Sequence, residues 1–343
     1  MTATLHAADA RVASRDPATG QIWRTYPVAS ADEVDAAVSR AREAQRAWVA
    51  RPLAERVRLL DRFHDALFDR RAEVVALLTR ENGKPAADGL LGEVVVVLDQ
   101  ARFYAQQAVR ALRPQTVRPS SLALWRKRVC ITHEPYGVVG VIAPWNYPLM
   151  LAAGVILPAL AAGNAAVLKP SELTPATGLM LGELLVEAGA PHDLVTVLVG
   201  DGSTGAALCA AEVDKVFFVG SVATGRKVAE ACARRLVPCV LELGGSDPAL
   251  VLADADVRHA AVGIAWGRFS NAGQTCTAPK RVYVHERVYD RFVDELARAS
   301  ASSRWRAGRA WWPRRRYART QPSPTARSSR PPCSPTCRPT RAC

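Results

Sequence analysis

"GVVGVIAPWNYPLMLAAGVILPALAAGNAAVLKPSE", residues 137–172, decides the fold. It holds two short apolar runs, "VVGVIA" (138–143) and "AAVLK" (165–169), separated by an Ala/Leu-rich segment. Both runs are continuous rather than alternating, as expected of strands buried on two faces. The rhythm continues toward the C-terminus in "LVTVLV" (194–199), "KVFFV" (215–219), "CVLEL" (239–243) and "ALVLA" (249–253). Each lies beside an Ala/Leu-rich segment of helical character. Continuous apolar strands alternating with helices predict an α/β fold, with a parallel sheet covered on both faces.

Upstream, residues 32–112 read as helices. "LAERVRLLDRFHDALFDRRAEVVALL" (53–78) places Val57, Leu60, Phe63 and Leu67 at spacings of three and four, an amphipathic face. Residues 113–135 change character, with polar and apolar residues alternating between prolines, which suits a hairpin standing off the core.

Composition bounds the remaining choices. A chain of 343 residues has room for two domains of ordinary size, and 49% hydrophobic residues suit a globular protein. The apolar stretch Leu149–Ala162 is broken by Gly154 and Pro158 and is too short to span a bilayer. "MTATLHAADARVASRD" (1–16) has no apolar core and does not read as a secretory signal. The eight cysteines are therefore expected as thiols in a cytoplasmic protein. The net charge of +13 is local. Residues 301–343 hold eleven Arg and no Lys, Asp or Glu, which leaves 34 basic and 32 acidic side chains in residues 1–300.

That tail also lacks Val, Leu, Ile, Met, Phe, Asn and His. It cannot bury enough surface to offset a chain entropy of roughly 1–2 kcal/mol per residue, so it is expected to be disordered. Cys333 and Cys337 have no partners to complete a zinc site, and no metal is expected. Two origins of the tail compete: a basic, Trp-bearing nucleic-acid arm, or a frame-shifted GC-rich stretch. The abrupt loss of ten residue types favours the frame shift.

The chemistry centres on "GRFSNAGQTCTAP" (267–279) and its single Cys276. A lone cysteine is most often a packing residue, so partners elsewhere must decide. Asn146 in "PWNYP" (144–148) follows a strand, where α/β sheets carry ligand groups, and "LKPSE" (168–172) places Lys169 and Glu172 alike. "FFVGSVATG" (217–225) is strand, glycine turn and helix start, with Gly220 and Gly225 letting amides face a phosphate. "LELGG" (241–245) sets Glu242 in an apolar run, where a carboxylate costs several kcal/mol unless it is paired, protonated or useful. Each has a bland alternative: a turn, a solvated lysine, an incomplete glycine fingerprint.

Together and in this order, "PWNYPL", "GNAAVLKPSE", "FFVGSVATG", "LELGG" and "NAGQTC" resemble the aldehyde dehydrogenase superfamily over about residues 15–300. The resemblance implies a Rossmann-like cofactor domain (1–112 and 136–243), an oligomerisation hairpin (113–135) and the start of an α/β catalytic domain (244–300). It implies NAD(P)-dependent oxidation of a small-molecule aldehyde in a homo-oligomer, with no membrane and no specific nucleic acid as partner. Cys276 would be the nucleophile, Asn146 with the Cys276 amide the oxyanion hole, and Glu242 the general base. Trp145, Lys169, Glu172, Gly220, Ser221 and Gly225 would bind the cofactor. A ribose-binding carboxylate at Glu172 leans toward NAD over NADP, although relatives with "KPSE" use either.

The pattern departs from the family in one respect. Members run well past 343 residues, and their later "E-x-F-G-P" block is missing. The chain is thus expected to carry catalytic residues with only part of the catalytic domain, and to be poorly folded and inactive. A CoA-acylating relative is a second reading, against which Glu242 argues, because that route needs no hydrolytic base. A non-catalytic nucleotide-binding fragment with a basic tail is a third. The aldehyde itself is not legible: phosphorylated, aliphatic and aromatic substrates stay open. Cys130, Cys209, Cys232 and Cys239 read as packing residues.

Overall fold

A computed structural model describes residues 10–124 and 126–301. The expected tail disorder concerns residues 301–343, of which all but the first lie outside the described residues. The chain opens with an antiparallel hairpin, β1 (Arg11–Arg15) and β2 (Ile22–Pro27), which the sequence reading had not anticipated. Its Val12 and Tyr26 pack with Ala176 and Val199 in a small core of their own.

Helices follow as expected: α1 (Ala31–Val49), α2 (Leu53–Asp69), α3 (Arg71–Asn82), α4 (Ala86–Gly89) and α5 (Val95–Ala111). Helix α1 starts on a capping box in which the Ser30 hydroxyl accepts from the Glu33 amide and Glu33 accepts from the Ser30 amide. The predicted face of α2 is buried, with Val57, Leu60, Phe63 and Leu67 all turned inward. A single π-helical turn, Leu90–Val94, joins α4 to α5.

An antiparallel pair, β3 (Gln115–Val117) and β4 (Val129–Ile131), occupies the segment read as a hairpin. Both strands are exposed throughout. Cys130 lies on this exposed pair, so its reading as a packing residue is corrected. Its neighbours in a three-residue strand have no layer above them to pack against. Cys209 and Cys232 are buried as expected, and Cys239 is half-buried.

The central sheet has five strands: β5 (Val138–Ile142), β6 (Ala165–Lys169), β7 (Val195–Val197), β8 (Lys215–Gly220) and β9 (Cys239–Leu243). Their order is β7-β6-β5-β8-β9 and every neighbouring pair is parallel. Crossovers are made by α6 (Met150–Ala161), α7 (Pro175–Glu187), α8 (Gly202–Ala210) and α9 (Val222–Arg234). Strands β5 and β6 are buried at every residue, which explains why their sequences do not alternate. The main core joins these strands to α2, α5, α6 and α7.

Beyond β9, strand β10 (Asp247–Val251) pairs in parallel with β11 (Pro279–Val284) as a separate two-stranded sheet. Helices α10 (Val257–Phe269) and α11 (Tyr289–Ala301) cover it, around a core of Val251, Val257, Ala261 and Phe292. No helix among the described residues is long and apolar enough to cross a membrane.

Candidate active site

The chain runs from β5 out to β6 and β7 on one side, then returns to place β8 on the other side of β5. The crossovers therefore diverge between β5 and β8, a switch point of the kind at whose C-terminal edge α/β proteins bind ligands. All the residues singled out from the sequence upstream of Cys276 lie along this edge. Asn146 follows β5, Lys169 ends β6, Gly220 ends β8 and Glu242 is the last residue but one of β9.

Cys276 reaches the edge from the second sheet. Helix α10 ends at Phe269, and the chain then turns through Asn271 (φ 51°), Ala272 (φ 57°) and Gly273 (φ 77°). Two non-glycine residues in the left-handed region cost about 1–3 kcal/mol each and persist only where the surroundings fix them. Here the surroundings are visible. Asn271 is buried and donates from Nδ2 to the Asn146 carbonyl at 2.8 Å. Asn146 in turn donates from its own Nδ2 to the Gln274 carbonyl at 2.8 Å. Gln274 Nε2 closes the turn onto the Asn271 carbonyl at 3.0 Å, and the Tyr147 hydroxyl lies 3.1 Å from Thr275 Oγ1.

The strained turn and the Asn146 loop are thus stitched together from both sides. Cys276 follows directly, as an exposed free thiol. A carboxamide nitrogen carries two hydrogens, and Asn146 spends one of them on Gln274, which leaves the second to donate elsewhere. The "LELGG" segment closes on the same point. A Cβ on Gly245 would sit 2.7 Å from the Cys276 carbonyl oxygen, so the two backbones touch only because residue 245 has no side chain.

On β6, the Lys169 ammonium, itself buried, pairs with Glu172 Oε2 at 3.0 Å. Burial pushes the Glu172 carboxyl up, but its own backbone N–H and the Lys169 charge outweigh that and hold it below the usual range. One N–H donor beside one carboxylate acceptor complements a vicinal diol such as ribose. On β8, Ser221 caps α9 by accepting the Thr224 amide at 3.2 Å, and residues 221–224 are exposed. A helix start open to solvent suits a pyrophosphate. Gly225 also has a packing job. It is buried, and a Cβ there would meet Leu243 Cδ2 at 2.6 Å, so its bareness lets α9 pack on β9. Trp145 is 39% exposed, and its carbonyl accepts from Asn82 Nδ2 at 2.6 Å.

Glu242 corrects one expectation. Its side chain is exposed, so the desolvation argued from its apolar neighbours is not felt. On an edge strand one face meets the core while the other does not, and Glu242 takes the open one. The carboxylate buried behind the Asn146 loop is instead Glu93, in "LLGEVVVVL" (90–98), which the sequence reading passed over, and Glu81 is a second buried one, held by Ser14, Ala176 and Thr177. Glu93 forms a buried ion pair with Lys84 and accepts the amides of Leu149 at 2.8 Å and Met150 at 3.1 Å. Lys84 also donates to the Asn146 carbonyl at 2.9 Å and lies over the Tyr147 ring. Burial pulls the Lys84 ammonium down and pushes the Glu93 carboxyl up, and each is opposed by the charge of the other. The signal that marked Glu242, a carboxylate inside an apolar run, applies with more force to Glu93.

Comparison with known proteins identifies the family. Residues 5–314 match the family model described as "Aldehyde dehydrogenase family". A Mycolicibacterium smegmatis protein named "Putative succinate-semialdehyde dehydrogenase (NADP(+))" is 42% identical over 286 residues, 83% of this chain and 55% of that protein. Among solved structures, an E. coli NADP-dependent enzyme superposes with a TM-score of 0.81 at 35% identity, over 84% of this chain and 60% of that one. PnpE from Pseudomonas sp. WBC-3 superposes with a TM-score of 0.81 at 34% identity, over 85% and 60%, and has also been solved with nicotinamide adenine dinucleotide. The chain spans about half the length of the curated relatives it matches.

Proposed function

Because the chain belongs to the aldehyde dehydrogenase family, we propose that it supplies the cofactor edge and the nucleophile for oxidation of an aldehyde to a carboxylic acid. The observation that carries this reading is the mutual stitching of the Asn146 loop to the Cys276 turn. A thiolate at Cys276 attacks the aldehyde carbon and forms a thiohemiacetal. The oxygen that gains the charge is received by the free N–H of Asn146 and the Cys276 backbone amide, donors that are already in place and need little reorganisation. A bound nicotinamide would supply the hydride acceptor, and loss of hydride from the thiohemiacetal carbon would leave a thioester on Cys276. Glu242, exposed on the same edge, takes a proton from the water that hydrolyses the thioester and frees the thiol.

The cofactor is held by groups on three strand ends. Lys169 and Glu172 bond the adenosine ribose, Ser221 and the turn at Gly220 face the pyrophosphate, and Trp145 lines the same edge. The Glu172 carboxylate repels a 2′-phosphate and so favours NAD over NADP. The cofactor-binding portion comprises 1–112 and 136–243, and residues 244–300 carry the nucleophile. The exposed Val117, Val129 and Ile131 give segment 113–135 a surface for self-association.

The test is thiol-specific and independent of cofactor. Ester hydrolysis needs only the thiol and its oxyanion donors. Where aldehyde oxidation by this partial chain is expected to be lost, hydrolysis of 4-nitrophenyl acetate through an acyl-Cys276 is expected to remain, and Cys276→Ala to abolish it while Cys209→Ala and Cys130→Ala do not. Equal esterase rates in wild type and Cys276→Ala would sink the reading.

A further inference from the structure

Four polar side chains from outside the Asn146 loop are spent on its main chain. Asn82 holds the Trp145 carbonyl, Lys84 and Asn271 share the Asn146 carbonyl, and Glu93 takes the amides of Leu149 and Met150. Lys84 and Glu93 are only 2% and 0% exposed. Glu93 lies in the one-turn π bulge between α4 and α5, which turns its carboxylate onto the start of α6. Such bulges recur at functional sites. A buried ion pair is a poor device for stability alone, since hydrophobic residues of similar volume commonly do as well. Here the pair does something that hydrophobic residues cannot: it fixes a carbonyl at one end of a five-residue loop and two amides at the other.

Resting on the catalytic reading above, we propose that Lys84 and Glu93 are positioning residues that lock the Asn146 loop and, through it, the Cys276 turn. The mechanical link is the shared Asn146 carbonyl. Lys84 and Asn271 both donate to it, and Asn271 is the first residue of the strained turn. Without Lys84 the carbonyl is free to rotate, the Asn271 bond lengthens, and the Asn146 amide leaves its line to the nascent oxyanion.

The experiment uses the 343-residue chain with Lys84→Met and with the double variant Lys84→Met/Glu93→Leu, which leaves no unpaired buried charge. Hydrogen–deuterium exchange is read first, with no substrate present. In both variants residues 145–150 and 270–276 are expected to exchange faster together, by about tenfold or more, while strands β6 and β8 keep their protection. The double variant is expected to melt above Lys84→Met, which keeps an unpaired buried carboxylate, without regaining the protection. Acylation of Cys276 by 4-nitrophenyl acetate, in which Sγ takes the acetyl group and 4-nitrophenol leaves, should fall about tenfold or more in the double variant. Alkylation of the same thiol by iodoacetamide builds no oxyanion and should stay within about threefold. Wild-type protection at 270–276 in either variant overturns the proposal, as does recovery of both stability and acylation in the double variant. Absence of Cys276 acylation in the wild-type chain would count against the catalytic reading, while the coupled exchange of the two segments would still decide the positioning role.

Discussion

Gly244 and Gly245 are adjacent and look equivalent in "LELGG", yet the structure sets them apart sharply enough to predict opposite outcomes on substitution with alanine. Neither lies in the left-handed region, so backbone conformation does not forbid a side chain at either. A Cβ at 244 would meet nothing within 4 Å, whereas one at 245 would lie 2.7 Å from the Cys276 carbonyl oxygen and 3.0 Å from Asp247 Oδ1. The Asp247 carboxylate can swing away. The Cys276 carbonyl is backbone and must itself move, by about 0.7 Å to reach an ordinary contact of 3.4 Å. Residue 245 cannot yield instead, because Lys280 holds its carbonyl and Arg281 holds that of Ser246 at 3.0 Å. Overpacking of this kind costs ~1–3 kcal/mol, less a few tenths for the reduced freedom of the unfolded chain. A misplacement of 1 Å costs about a hundredfold in rate, so a shift of 0.7 Å at the nucleophile is worth roughly tenfold or somewhat more. Gly245→Ala is therefore expected to slow acylation of Cys276 by 4-nitrophenyl acetate about tenfold and to lower the melting temperature by several degrees. Gly244→Ala should change the rate less than about twofold and stability by no more than ~0.5 kcal/mol. Equal effects of the two substitutions, on either readout, would refute the reasoning.

Glu242→Gln is expected to separate two half-reactions in a form that turns over: one equivalent of NADH is still released as a burst, while the steady rate falls by ~10²–10⁴-fold. An unchanged steady rate would remove Glu242 from the mechanism. Burial lifts the thiols of Cys209 and Cys232 from the ordinary 9.0 to about 11 and about 12. A group whose folded pKa is raised favours the protonated fold, so this contribution is whole below pH 9 and is lost as pH climbs through 11 and 12. Stability measured by urea unfolding is expected to drop between pH 9 and 12 by on the order of a few kcal/mol, and Cys209→Ala with Cys232→Ala should flatten that drop. A slope unaffected by removing both thiols would place its origin elsewhere.

Much of this molecule is written locally. The continuous apolar runs at 138–143 and 165–169 announce doubly covered parallel strands because burial on two faces leaves no position for a polar residue. The spacing of Val57, Leu60, Phe63 and Leu67 announces the buried face of α2 for a similar reason, since 3.6 residues per turn bring them onto one stripe. Asn146, Lys169, Gly220 and Glu242 could be picked out because each interrupts such a pattern or ends it, whereas Cys276 stands in a polar stretch and is decided only by the resemblance of the five motifs to the family.

What the sequence could not say is which partner each residue meets across the fold. Glu242 and Glu93 both sit in apolar runs, but one is exposed on an edge strand and the other faces Lys84 inside a π turn. Gly225 reads as a phosphate-loop glycine, and its close packing against Leu243 of β9 is visible only in the fold. Gly244 and Gly245 differ only in that the second lies against a backbone thirty-one residues further on. Hydropathy along the chain fixes which elements form and which faces they hide. Desolvation, close approach and the pairing of charges depend on distances between residues far apart in sequence, and those exist only once the sheet has brought the strand ends to one edge.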